Sequence, residues 1–136
     1  MALTFSTTLR NARVTAIKNT IGASAVVKIR TGAAPSNVAS PSTGTVLATL
    51  SLPSEWLGTA ANGAISKVGD WEAQAETSGT AGHFEVCASD GSTVHIRGSV
   101  TGTSGNGEMK VDNTNFAEGQ NFTITSFTIT DGNAGS

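Results

Sequence analysis

The hydrophobic period changes once along this chain, and that change limits what it can fold into. Phe5, Leu9, Ala12, Ala16, Ile17 and Ile21 recur at helical spacing, with Arg10, Arg13 and Lys18 among the polar positions between them. After Gly22 the apolar residues come in short runs or in strict alternation, separated by Gly, Ser, Thr, Asn and Pro. The pattern predicts one amphipathic helix over residues 6–21 and a body of short strands over residues 25–130. Ser6 or Thr7 is placed to cap the helix and Gly22 to end it. Gly, Ser, Thr and Asn fill 60 of the 136 positions. That composition suits turns and strands, because Gly is conformationally permissive and Thr is stiff at its first side-chain torsion.

Strands are expected at 25–31, 46–52, 64–68 and 71–77. Between them lie a Ser- and Pro-punctuated loop at 33–44, with Pro35 and Pro41, and an irregular stretch at 53–63 that holds Trp56 and Leu57. The clearest hairpin spans 82–100. Placing Phe84, Val86, Val94 and Ile96 on one buried face pairs residue 86 with 94 and leaves a three-residue loop, Ser89-Asp90-Gly91, with Gly91 left-handed. Residues 101–107 read as a flexible, Gly-rich hairpin loop, 108–111 as a short strand and 113–120 as another loop. In the last strand, 122–130, the apolar phase shifts between Ile124 and Phe127, which points to a bulge or a corner. Residues 131–136 read as a flexible tail. Seven or eight short strands with polar turns make a single all-β domain over 1–136. The expected architecture is an antiparallel β-sandwich of jelly-roll type, with the helix over one edge or open end.

Several classes are set aside by composition. Cys87 is the one cysteine, so neither an intrachain disulfide framework nor a multi-cysteine zinc site is available. No apolar run approaches the length that spans a membrane. The first residues lack a secretory signal's pattern, so the expectation is synthesis in the cytoplasm without a signal peptide. Charge is uneven. Residues 1–50 carry five bases and no acid, whereas residues 51–136 carry three bases and all ten acids. Either the molecule has two faces of opposite potential, or the fold interleaves the halves and cancels the field.

Chemistry is sparse. The expected register sets Glu85 opposite His95 and His83 opposite Arg97, with Cys87 nearby, on the face of the hairpin away from the core. A Glu–His pair beside a thiol resembles an activated nucleophile, but cross-strand polar pairs on a wet sheet face explain it more simply. No catalytic residue, metal ligand set or cofactor site is assigned. The run Gly102–Gly107 lacks the Lys-Ser/Thr and the helix of a phosphate cradle. Arg10, Arg13 and Lys18 have no aromatic partners on an acidic chain, so direct nucleic-acid binding is not expected. Trp71 reads as core, and Trp56 with Leu57 either plugs one end of the sandwich or anchors a partner.

Three segments resemble small phage virion proteins: the opening Ala2-Leu3-Thr4-Phe5-Ser6-Thr7-Thr8-Leu9-Arg10-Asn11-Ala12-Arg13, the turn Ser89-Asp90-Gly91-Ser92, and the ending Phe127-Thr128-Ile129-Thr130-Asp131-Gly132-Asn133. Within that group the chain is most similar to the jelly-roll cement (decoration) proteins of short-tailed phage heads. The resemblance implies a non-enzymatic protein on the outer surface of the virion capsid, bound to the major capsid protein as a homo-oligomer, a dimer that straddles capsomer junctions. Arg10, Arg13, Lys18, Trp56 and Leu57, with the loops 33–44 and 53–63, are the expected partner-binding elements. The alternative is another virion component, a tail or head fibre that binds a host surface or glycan.

Overall fold

The computed structural model describes residues 4–130. One helix, α1 (Thr7–Ile21), precedes nine strands: β1 (Val26–Thr31), β2 (Val46–Ser51), β3 (Ala64–Ser66), β4 (Trp71–Gln74), β5 (Gly79–Cys87), β6 (Val94–Gly102), β7 (Met109–Val111), β8 (Asn115–Phe116) and β9 (Asn121–Thr130). The helix begins and ends where local chemistry says it should. Ser6 is extended and its hydroxyl accepts from the Leu9 amide at 3.1 Å, while Gly22, at φ +90°, closes the last turn through its amide to the Lys18 carbonyl.

The buried face of α1 is only partly the expected one: Ile17 and Ile21 turn inward as expected, but the rest of the face has rotated. Arg10, Val14 and Ile21 are buried with Ile17 packed beside them, whereas Leu9, Ala12 and Ala16 face solvent. The turn at Asn62-Gly63 decides this. Both residues have positive φ. The Arg10 guanidinium donates to the Asn62 carbonyl at 3.1 Å and lies where a Cβ on Gly63 would stand, 2.3 Å from Nη2. The Asn11 side chain accepts from the Gly63 amide at 2.7 Å. The Asn62 carbonyl gains a charged donor from Arg10, which turns inward to reach it while Leu9 stays outward.

The strands form one curled sheet in the order β2-β1-β5-β6-β7-β9-β3, with β4 also on β9 and β8 on β5. It is mixed rather than purely antiparallel, because β6 and β7 run parallel. The Gly-rich segment between them is a compact double reversal instead of a flexible hairpin loop: the Thr101 hydroxyl accepts from the Gly107 amide at 2.9 Å, and the Gly105 amide donates to Gly102. Strand β8, in a stretch expected to be a loop, is two residues pinned to the start of β5. The anticipated irregularity in the last strand is present: β9 shifts register against β7 between Lys110 and Val111, across from Ile124–Ser126.

Curling brings distant strands into contact. Phe84 on β5 meets Phe127 on β9 edge to face at 5.4 Å, although two strands separate them in the sheet, and Trp71 and Trp56 continue the aromatic row. The Leu47 carbonyl on β2 accepts from the Glu76 and Thr77 amides, so the chain after β4 returns to the far edge of the sheet. Phe84 lies flat over Gly98, where an added Cβ would sit 2.7 Å from the ring. Gly98→Ala is therefore expected to lower unfolding free energy by about 1–3 kcal/mol, the cost of overpacking a filled core, in a urea titration followed by tryptophan fluorescence.

Candidate functional site

The hairpin register differs from the alternation-based expectation. Val86 pairs with Ile96 and Glu85 with Arg97, then the ladder shifts so that Cys87 pairs with Val94. The bulge leaves a four-residue loop, Ser89–Ser92, closed by the Ala88 amide on the Thr93 carbonyl. Gly91 is left-handed as expected, at φ +74°. Asp90 fastens the loop by accepting from the amides of Ser92 and Thr93 and from the Thr93 hydroxyl, bonds that hold its carboxyl well below the usual range. Glu85 thus stands opposite Arg97, not His95, and His83 opposite Ser99.

That face of the sheet is also dry, contrary to expectation. His83, Glu85 and Cys87 are all buried. Residues 32–45 fold across β1, β5 and β6 as a lid, and a buried charge cluster holds them there. Arg30 Nε donates to Glu85 Oε1 at 2.8 Å, Arg97 Nε to Oε2 at 2.9 Å, and the Ser42 hydroxyl to Oε2 at 2.6 Å. The other side of the Arg97 guanidinium staples the lid itself. Its Nη1 donates to the carbonyls of Asn37, Val38 and Ser40, the last at 2.7 Å, and its Nη2 to the Ser42 hydroxyl. At the base the Thr31 amide donates to the Thr45 carbonyl and the Thr45 amide to the Thr31 hydroxyl, and His83 Nδ1 donates to the Gly32 carbonyl at 2.9 Å.

Burial alone would raise the Glu85 pKa. The hydrogen bonds from Ser42, Arg30 and Arg97, with the charge of Arg30, outweigh it and hold the carboxyl below its ordinary value. Cys87 goes the other way: burial, then the Glu85 charge, pushes its thiol up. A buried, protonated thiol is a poor nucleophile, and Glu85 is committed to two arginines, so this cluster is built to hold a loop in place.

Of the residues expected to bind a partner, few reach the surface. Trp56 and Leu57 are both fully buried, and Trp56 Nε1 donates to the Gly22 carbonyl at 2.9 Å, tying the helix end to the body. Trp56 plugs; neither side chain offers an anchor to a partner. Arg10 is buried as described. Lys18 is half-buried and paired with Glu55 at 3.0 Å. Arg13 is exposed, its guanidinium 4.8 Å from the centre of the Phe5 ring. The two charge halves interleave, since Lys18 and Arg30 from the basic half pair with Glu55 and Glu85 from the acidic one.

Of the expected contact elements, what remains at the surface is Arg13, the exposed parts of residues 53–63, and the stapled lid. Three of its carbonyls turn inward to one guanidinium, while the Val38 side chain turns outward and is 42% exposed. Sequence reasoning marked the loop for its length and prolines, but nothing local identified Arg97 as its fastener. No protein-family model, curated protein or solved structure matches this chain.

Replacing Glu85 by Gln leaves the buried Arg97 guanidinium and the half-buried Arg30 guanidinium without their counter-ion. The expected loss is about 3–5 kcal/mol by chemical denaturation. Because the folded pKa of Glu85 is lowered, its contribution is present above the ordinary carboxylate value of 4.5 and is lost as pH falls through the depressed folded value. The gap in Tm between wild type and Glu85→Gln should therefore be widest near neutral pH and narrow on acidification below that point.

Proposed function

We propose that this protein is a non-enzymatic virion component, a cement protein that binds the outside of a phage capsid and clamps neighbouring major capsid protein subunits, acting as a homodimer across capsomer junctions. The observation that carries the reading is the stapled lid. A recognition loop locked by a buried arginine before any partner arrives has little conformational entropy left to lose on docking. Repetition over many copies then turns a modest single-site affinity into a large effect on the shell. The likeness of the opening, the Asp-Gly turn and the ending to phage cement proteins supports the same reading. So does the direct Phe84–Phe127 contact across two intervening strands, which is compatible with a sandwich of jelly-roll type; the parallel β6–β7 pair is a departure from that pattern. Trp56 and Trp71 are both buried, so a host-glycan module would lack its usual aromatic platform.

In this reading the capsid contact is the lid, residues 33–44, with Val38 at its tip. Quantitative mass spectrometry of purified particles should find a copy number close to that of the major capsid protein. A count like that of a tail or vertex component would move the protein elsewhere in the particle, and absence from particles would end the structural reading. Val38→Asp, an exposed position, should fold normally yet reduce occupancy of shells in a rebinding assay. Unchanged occupancy would take the lid out of the contact.

A further inference from the structure

The turn that receives α1 is built from a chemically labile dipeptide. Asn62-Gly63 is a two-residue reversal, closed by reciprocal backbone bonds between Ala61 and Ala64 at 2.9 Å, with φ +52° at Asn62 and +75° at Gly63. That is the type I′ geometry for which Asn-Gly is a favoured sequence. The same dipeptide is open to attack on itself. The glycine nitrogen adds to Cγ of the asparagine side chain, ammonia leaves, and a five-membered succinimide remains. Water then opens the ring. Opening at Cγ gives aspartate; opening at the former main-chain carbonyl gives isoaspartate, whose backbone runs through the side chain and is one atom longer. The net change converts asparagine and water to isoaspartate and ammonia, with no oxidant or other reactant. Glycine favours the attack because no Cβ shields its nitrogen.

In the folded protein the helix holds this reaction off. A type I′ turn sets the Asn ψ near +30°, about the mirror of a type I turn, which keeps Cγ away from the next nitrogen. Ring closure therefore requires the peptide plane between residues 62 and 63 to turn. α1 grips that one peptide group at both of its polar atoms. Arg10 Nη2 donates to the Asn62 carbonyl at 3.1 Å, and the Gly63 amide donates to Asn11 Oδ1 at 2.7 Å. Turning the plane breaks both bonds, one of them charge-assisted. The Arg10 guanidinium also lies over Gly63, which is buried, whereas Asn62 is exposed to water. Docking thus demands glycine at 63, for its positive φ and for the room Arg10 takes, and that glycine is what leaves the undocked turn reactive. The other Asn-Gly of the chain, Asn106-Gly107, is independent of the helix: its Gly107 amide donates to the Thr101 hydroxyl of its own loop.

We propose that Asn62 is a deamidation site gated by the docking of α1, a one-way device that turns a transient lifting of the helix into its permanent release. α1 rests on the body through one face, so it can lift while the strand ladders stay paired. Lifting removes both clamps on the 62–63 peptide, and the succinimide then forms. Isoaspartate at 62 adds a backbone atom to a two-residue turn. The carbonyl for Arg10 and the amide for Asn11 no longer stand where the helix can reach both, so α1 does not return. This inference goes beyond the capsid reading and stands without it, since it is read on the isolated chain with no shell present.

Peptide mass spectrometry of the full chain, aged in mildly alkaline buffer, follows each Asn-Gly separately by the mass gained when an amide becomes an acid. Asn62 should survive in the folded protein and convert in the same chain unfolded by urea. Asn11→Ala should speed conversion at 62 about two- to tenfold, the rise in open population that one lost hydrogen bond allows, and leave Asn106 unchanged. Asn11→Asp keeps an acceptor for the Gly63 amide and should restore the slow rate. Chains carrying isoaspartate at 62 should be cut by trypsin at Arg10 and Arg13 where fresh chains resist. Asn62→Gly keeps the turn without a side-chain amide and should stay resistant after the same ageing. Conversion at 62 as fast in the folded chain as in urea overturns the gate, as does an unchanged rate in Asn11→Ala. A variant that speeds 62 and 106 alike overturns it too, because general loosening would then control the reaction. A helix as resistant in isoaspartate chains as in fresh ones overturns the release.

Discussion

A single carboxylate under a loop organises this molecule. Glu85 is 1% exposed, and a carboxylate so placed persists only if every oxygen finds a donor and its charge is balanced. Arg30 supplies this from one neighbouring strand, Arg97 from the other, and Ser42 from the lid above. The arrangement joins β1, β5, β6 and residues 32–45 into one unit. It also gives a polar loop of fourteen residues (32–45) with two prolines fixed partners: three of its carbonyls have their donor in the Arg97 guanidinium.

The rest of the body follows from how the sheet curls around its aromatic row. Phe84 can reach Phe127 only because Gly98 leaves room for its ring, and that contact draws β5 and β9 together across the interior. Trp71 and Trp56 extend the row to the helix end, where the indole of Trp56 takes the Gly22 carbonyl. The helix is held at both ends by polar bonds, Arg10 to Asn62 and Trp56 to Gly22, and between them by Val14, Ile17 and Ile21 packed on the core. Leu9, Ala12 and Ala16 are left outward as a consequence.

Much of this was legible residue by residue wherever the cause is local. The helix limits follow from Ser6 and Gly22, the left-handed turn from Gly91, and the existence of most strands from alternation, because capping, backbone freedom and side-chain period act over a few residues. The helix face, the hairpin register and the dry side of β5 were not legible. Choosing Arg10 over Leu9 needs the Asn62 carbonyl, 52 residues away, and choosing Arg97 over His95 as the partner of Glu85 needs a bulge that optimises a charge cluster rather than the apolar pattern. Trp56 and Leu57 looked like candidates for a surface because their segment is irregular; irregular backbone says nothing about which side chains turn inward.

By itself, then, the amino-acid sequence determined a β-rich fold with one capped helix, short strands and Asp-Gly turn chemistry, since each of these depends on neighbours along the chain. The tertiary structure decided the parallel β6–β7 pair, the curl and the lid, together with which charges are buried. Those outcomes rest on contacts between residues tens of positions apart, where a charged donor for a turn carbonyl or a counter-ion for a buried carboxylate outweighs the local preference for apolar burial.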